Sequence, residues 1–63
     1  MLKPLMTVDV YYDPITAEDY EGSAKLIREI RPDMGDGLSM WEVEFTNDPH
    51  YRHVRTINLD NAI

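Results

Sequence analysis

Three side chains in the C-terminal third have types that bind metals or transfer protons: Asp48, His50 and His53. The two histidines are three residues apart in a segment that reads as a turn followed by a strand. At that spacing their imidazoles would converge on a helix, but they do not converge on a strand. The chain has no cysteine and no third histidine. We therefore predict a polar turn and an exposed strand face here, with no metal site and no cofactor.

The serine and carboxylate side chains give no stronger indication of catalysis. The sequence has no glycine-rich phosphate loop and no nucleophile elbow, and nothing in it explains how Ser23 or Ser39 would be activated. Glu18, Asp19 and Glu21 are close in sequence, but the pattern does not indicate that one of them is buried. A chain of 63 residues also leaves little room for a substrate cleft. We predict no catalytic residues and a protein that is not an enzyme.

The charged residues occur in blocks. The chain contains six Lys and Arg and twelve Asp and Glu, which gives a formal net charge of −6. Residues 9–21 and 33–48 each contain five acids and no base, whereas the bases are concentrated in the segments between and after them. If these blocks form neighbouring strands, acids and bases pair across the sheet. An excess of acid then remains between Asp13 and Glu21.

Two binding surfaces are predicted from this pattern. The acidic and aromatic segment is expected to bind a protein partner through Tyr11, Asp13, Glu18, Asp19, Tyr20 and Glu21. Alternatively, the basic strands contact a nucleic-acid backbone through Lys25, Arg28, Arg52 and Arg55. A further alternative is that the acidic surface mimics nucleic acid and blocks the basic groove of another protein.

The elements that must position these side chains are mainly strands. Residues 6–12 alternate strictly, and the alternation places Met6, Val8, Val10 and Tyr12 on the core face of a first strand. Residues 41–45 alternate between apolar and acidic, which assigns Trp41, Val43 and Phe45 to the core. Residues 51–59 are a third candidate strand. The pattern of that strand slips near Thr56, which predicts a bulge or a short turn there.

Residues 16–31 fit two structures. As a helix, the segment has Tyr20, Ala24, Ile27 and Ile30 at helical spacing. Gly22 in its middle would cost about 1 kcal/mol relative to Ala. As a strand, the segment from Ser23 onward alternates, and residues 32–37 form a Pro- and Gly-containing turn into the Trp41 strand. Periodicity leaves both structures open.

The chain carries four short motifs in order: Tyr-x-Asp-Pro-x-Thr at 11–16, Glu-Gly-x-Ala-x-Leu at 21–26, Trp-x-Val-x-Phe at 41–45 and Arg-x-Ile at 55–57. Together they resemble the pattern of small SH3-like barrels and of short phage and prokaryotic open reading frames. The resemblance implies an all-β barrel of four or five antiparallel strands. In it, residues 23–30 form the second strand and residues 13–22 a loop over one end. The alternative is an α+β fold with a helix over 16–31 packed on a three-stranded antiparallel sheet.

The resemblance also implies a role. We expect one small domain over residues 1–63, with residues 1–5 as a flexible N-terminal segment. We expect a non-catalytic interaction module, encoded by a phage or mobile element, that binds a host factor through its acidic-aromatic loop. No segment approaches the roughly 20 apolar residues that span a bilayer, so we predict no membrane partner. The expected location is the cytoplasm, of the host if the protein is phage-encoded, and homo-oligomerisation is left open.

Overall fold

The computed structural model of the chain describes residues 1–62, which form four antiparallel strands in one curled sheet. The strands are β1 Thr7–Asp13, β2 Glu18–Arg31, β3 Leu38–Phe45 and β4 Asp48–Asn58. Their order is β1-β2-β3-β4, so each strand pairs with its neighbour in sequence. Residues 1–62 contain no helix, and therefore none that could cross a membrane. The all-β prediction is confirmed, and the alternative with a helix over 16–31 is wrong.

The two edge strands approach each other through the C-terminal segment. The backbone amide of Asp9 in β1 donates to the carbonyl of Ala62 at 3.0 Å, although β1 and β4 are not hydrogen-bonded neighbours in the sheet. The sheet is therefore a half-barrel of four strands. In the N-terminal segment, Leu5 N donates to the carbonyl of Leu26 at 2.7 Å and ties this segment to β2. The flexibility of residues 1–5 stays a prediction.

The core is one apolar cluster inside the curl. Every strand contributes to it, and its members are Val8, Val10, Ala24, Leu26, Trp41, Val43, Phe45, Ile57 and Ala62. Alternate residues of β3 are buried, as a period-two strand requires, so the core assignment of Trp41, Val43 and Phe45 is confirmed. The buried indole Nε1–H of Trp41 donates to Ser39 Oγ at 2.9 Å. This bond satisfies a polar group that would otherwise be costly to bury.

The core face of β1 ends earlier than predicted. Val10 is buried, but Tyr12 is 69% exposed, so its assignment to the core was wrong. The register between β1 and β2 shifts after Val10, where Glu21 is an extra residue of β2. A bulge of this kind bends the strand and increases its twist. The hairpin beyond it therefore leaves the core, and the Tyr12 side chain lies largely in solvent.

Residues 13–22 do not form a long loop over the end of a barrel, as the resemblance had implied. β2 begins at Glu18 and runs for 14 residues, so a turn at 14–17 is all that separates it from β1. Ladder pairs reach as far as Asp13 and Glu18. Backbone pairing with β1 explains the difference, because it satisfies the hydrogen bonds of 18–22 that a loop would leave to water.

The predicted turn at 32–37 is confirmed as the connection between β2 and β3. Asp33 Oδ1 accepts hydrogen bonds from the amides of Gly35 at 2.7 Å and Gly37 at 3.0 Å. These donors, Gly35 first, hold the pKa of Asp33 below its usual range. An ionised carboxylate therefore fixes the turn.

The irregularity predicted near Thr56 lies elsewhere. Thr56 pairs regularly with Met40, so the prediction of a bulge at that position was wrong. The register shifts instead between Val43 and Phe45, opposite residues 48–53 of β4. The alternation of apolar residues in 51–59 is irregular because the outer positions of β4 are partly exposed. Val54, one of these positions, is 48% exposed.

Candidate functional site

The tip of the first hairpin, residues 12–20, carries most of the predicted partner-binding residues. Asp13 Oδ1 accepts hydrogen bonds from the backbone amides of Ile15 at 3.1 Å and Thr16 at 3.2 Å. Backbone hydrogen bonding, led by Thr16, holds the pKa of Asp13 below its usual range. Ala17 and Asp19 both have a φ of 57°, which is uncommon for residues other than glycine. The hairpin tip therefore has a defined conformation.

Two asparagines of the C-terminal region hold the hairpin tip against the rest of the molecule. The Nδ2 atom of Asn61 donates to the carbonyl of Pro14 at 2.8 Å and to that of Ile15 at 3.3 Å. Asn58 Nδ2 donates to the same Pro14 carbonyl at 3.2 Å. These bonds join residues 44 to 47 positions apart in sequence. They restrict the position of the turn relative to β4.

The structure brings Tyr11 and Tyr20 together, as the predicted site requires. Their ring centroids are 5.4 Å apart in an edge-to-face arrangement. The hydroxyl of Tyr20 donates to Asp9 Oδ1 at 3.1 Å and shares a second hydrogen bond of 3.1 Å with Ser23. Tyr20 is still 56% exposed. The pair is therefore a fixed aromatic surface that solvent reaches.

Glu18 and Asp19 are the exposed acids of the hairpin tip. Both side chains face solvent, and no Lys, Arg or His among residues 1–62 lies within ion-pair distance of either. The turn beside them exposes apolar surface, with Ile15 at 66% and Tyr12 at 69%. The hairpin tip therefore combines uncompensated negative charge with exposed apolar side chains.

Glu21, the last predicted member of the site, is directed elsewhere. Its carboxylate accepts two hydrogen bonds from Arg55, from Nε at 2.8 Å and from Nη2 at 2.7 Å. The hydrogen bond from Arg55 lowers the pKa of Glu21, and the pair correspondingly raises the pKa of Arg55. The Glu21 side chain is 11% exposed. Because its charge is compensated and largely enclosed, Glu21 adds no free charge to the exposed acids of the hairpin, and its part in partner binding stays a prediction.

The predicted nucleic-acid surface is interrupted by carboxylates. Arg28 lies 3.5 Å from Glu42, and Arg52 lies 3.4 Å from Glu42 and 3.1 Å from Glu44. We call these four residues the outer ion-pair cluster. Lys25 is exposed and in register with Glu44, but no carboxylate among residues 1–62 lies within 4.0 Å of its amine. Three of the four predicted bases thus have acidic partners, counting Arg55 with Glu21.

The two histidines lie in different environments. His50 is exposed, whereas the ring of His53 packs edge-on against Phe45 with centroids 5.4 Å apart. Over residues 1–62 there is no group of three His, Cys, Asp or Glu side chains arranged to hold a metal ion.

Sequence reasoning missed Asn58, Asn61 and the role of Arg55. Each acts through a contact with a residue at least 34 positions away, and neither asparagine lies in a motif. The block of bases around Arg55 and the paired block of acids were the available signal for its ion pair. Nothing in the local sequence distinguishes the two asparagines from ordinary turn residues.

Comparison of the chain with protein-family models, with curated proteins and with solved structures finds no match.

Proposed function

We propose that this chain is a non-catalytic interaction module whose hairpin tip binds a basic segment of a protein partner. One observation carries the proposal. Glu18 and Asp19, two exposed acids that form no ion pair among residues 1–62, lie beside exposed apolar and aromatic side chains and next to a turn that Asp13 holds in shape. Aromatic anchors surrounded by polar groups are typical of protein interfaces.

The distribution of charge supports this choice of surface. Because Arg28, Arg52 and Arg55 are bound to acids of the same chain, the surplus behind the net charge of −6 is concentrated elsewhere, partly at the hairpin tip. A surface of this kind attracts positively charged partners and accelerates their association at low salt. The partner that fits this surface therefore presents lysine or arginine side chains.

Binding of nucleic acid through the basic strands has less support. A phosphate backbone on the outer ion-pair cluster would meet Glu42 and Glu44 between the arginines. Each arginine would also have to leave its carboxylate to bind phosphate. Within the proposal, the resemblance to short phage reading frames supports a host factor as the basic partner, and the acidic tip would then compete with nucleic acid for that factor.

Selection from a random peptide library displayed on a surface tests the proposal without knowledge of the partner. We expect enrichment of peptides that contain Lys and Arg. Reversing both tip charges, Glu18→Lys with Asp19→Lys, should lower the affinity for the selected peptides about tenfold or more at low salt. The matched control, Glu29→Lys with Asp60→Lys, makes the same change of net charge at exposed positions outside the tip. Equal losses in both variants would refute the tip as the binding site.

A further inference from the structure

A shallow groove lies between the hairpin tip and β4. Its volume is about 410 Å³, at the small end of the roughly 300–1,000 Å³ of ligand pockets. One wall consists of hairpin residues and the other of residues from β3 and β4. The lining residues used below are Tyr12, Pro14, Ile15, Val54 and Thr56.

The walls of the groove expose large apolar side chains to solvent. Tyr12 is 69%, Ile15 66% and Val54 48% exposed. Three large apolar side chains around one depression form a contiguous patch rather than scattered surface residues, and such patches mark interaction sites. A volume of about 410 Å³ accommodates one anchor side chain but is small for a whole peptide.

The shape of the groove is fixed in advance. The hydrogen bonds from Asn58 and Asn61 to the Pro14 carbonyl hold the hairpin wall at its distance from β4. A ligand therefore does not have to order this wall when it binds, which lowers the entropic cost of association.

The charges at the groove favour a cationic ligand. Arg55 is among the lining residues, but its guanidinium is bound by both oxygens of Glu21. On the hairpin, Asp13 and Glu18 are paired in the ladder on either side of the turn that contributes Pro14 and Ile15. The uncompensated charge beside the groove is therefore negative.

From these observations we infer that the groove receives one aliphatic or aromatic anchor side chain of a peptide segment, whose neighbouring Lys or Arg residues face the acids of the hairpin tip. The inference rests on the proposed function and adds a specificity-determining pocket to it. Val54 and Thr56 on β4 thereby become part of the partner-binding surface, together with Tyr12 and Ile15 on the hairpin.

Synthetic peptides of the form Gly-Lys-Arg-X-Lys-Arg-Gly test the inference, with X as Trp, Leu or Ala. Binding to the ¹⁵N-labelled protein is followed by amide chemical shifts at low salt. We expect the Trp and Leu peptides to bind about tenfold more tightly than the Ala peptide, with shifts at Tyr12, Ile15, Val54 and Thr56. Val54 is half-exposed, so Val54→Lys should leave the protein folded. The substitution should lower the affinity of the Trp peptide to that of the Ala peptide.

The controls separate the anchor from the charge. Glu18→Gln should weaken all three peptides alike, whereas Glu29→Gln, the same change outside the tip, should leave them unaltered. If X makes no difference while Glu18→Gln still weakens binding, the groove inference is overturned and the proposed function stands. If no peptide causes shifts at the tip at millimolar concentration, both are overturned. Groove shifts caused by an oligothymidine but by no peptide would overturn both in favour of nucleic acid.

Discussion

Replacing Glu21 with Gln removes one charge of the ion pair that joins β2 to β4. The two strands are not neighbours in the sheet, so this pair reaches across β3, which lies between them. Arg55 binds the carboxylate through two donors at 2.7 and 2.8 Å, and its guanidinium carbon lies 5.6 Å from the centre of the Phe45 ring. The perturbation therefore tests whether the curl of the sheet depends on a polar contact.

The magnitude follows from how far the pair is enclosed. An exposed ion pair contributes about 0–1 kcal/mol, and removing one partner of a fully buried pair costs about 3–5 kcal/mol. With side chains 31% and 11% exposed and bidentate geometry, we expect a coupling free energy of about 1–2 kcal/mol. A domain of this size has roughly 3–5 kcal/mol in total. At about 1 kcal/mol per molar urea, the midpoint should fall by about 1–2 M.

A double-mutant cycle with Glu21→Gln and Arg55→Gln isolates this coupling from the stacking on Phe45. Urea unfolding is followed by the fluorescence of the buried Trp41. The exposed pair of Arg52 with Glu44, 3.1 Å apart, is the matched control and should couple by less than about 0.5 kcal/mol. A coupling between Glu21 and Arg55 no larger than that of the control would refute the reasoning.

The same pair gives a pH dependence with a defined sign. Arg55 lowers the pKa of Glu21 in the folded state, so the folded protein binds fewer protons there than the unfolded chain does. The contribution of the pair is complete above the usual carboxyl pKa and is lost as the pH falls through the lower folded value. The destabilisation by Glu21→Gln should therefore be full at pH 7 and shrink under acid conditions. A destabilisation that is unchanged at low pH would contradict the charge-based account.

Three further substitutions test the fold. Ser39→Ala leaves the buried Trp41 indole without its acceptor and should cost about 1–3 kcal/mol in urea unfolding, whereas Ser39→Thr, which keeps the hydroxyl, should cost less. Leu26→Ala removes a fully buried side chain at a cost of about 2–5 kcal/mol, close to the whole stability, so circular dichroism should show a largely unfolded chain. Gly37→Ala has space for the methyl group but a φ of +79°, so the melting temperature should fall by several degrees through backbone strain; an unchanged temperature would contradict this.

The sequence was most informative where one residue's neighbours decide its environment. The alternation of Trp41, Val43 and Phe45 with acids is a local pattern, and the structure has the predicted strand and core there. The turn at 32–37 was equally accessible, because Asp33 and the two glycines form it by contacts within five residues. Period-two patterning and turn chemistry are short-range properties, so they can be read without knowledge of the fold.

The sequence was least informative where distant residues decide. The predicted second strand started after Gly22, but Gly22 lies within β2 at a φ of +145°, and a Cβ there would be 3.6 Å from Phe45 Cδ1. The bulge at Glu21 follows from pairing with β1 and from the ion pair with Arg55, 34 residues away. Neither contact can be recognised from the neighbouring sequence. The extent of β2 and the exposure of Tyr12 could therefore not be predicted.

The candidate site was predicted in part for the same reason. Clustering of acids and tyrosines in 11–21 is visible in the sequence, and Tyr11 and Tyr20 do lie in contact. The inward direction of Glu21 and the wall of the groove formed by Val54 depend on the curl of the sheet. Composition located the segment, and tertiary structure determined which of its side chains face outward.

Chemical-shift mapping of the ¹⁵N-labelled protein with a library-selected basic peptide tests the central claim most directly. The account predicts that the shifted amides cluster at the hairpin tip, residues 12–20, and at the facing positions of β4, Val54 and Thr56. It also predicts that the outer ion-pair cluster is unaffected. Shifts centred on Arg28 and Arg52 instead, with residues 12–20 unchanged, would contradict it.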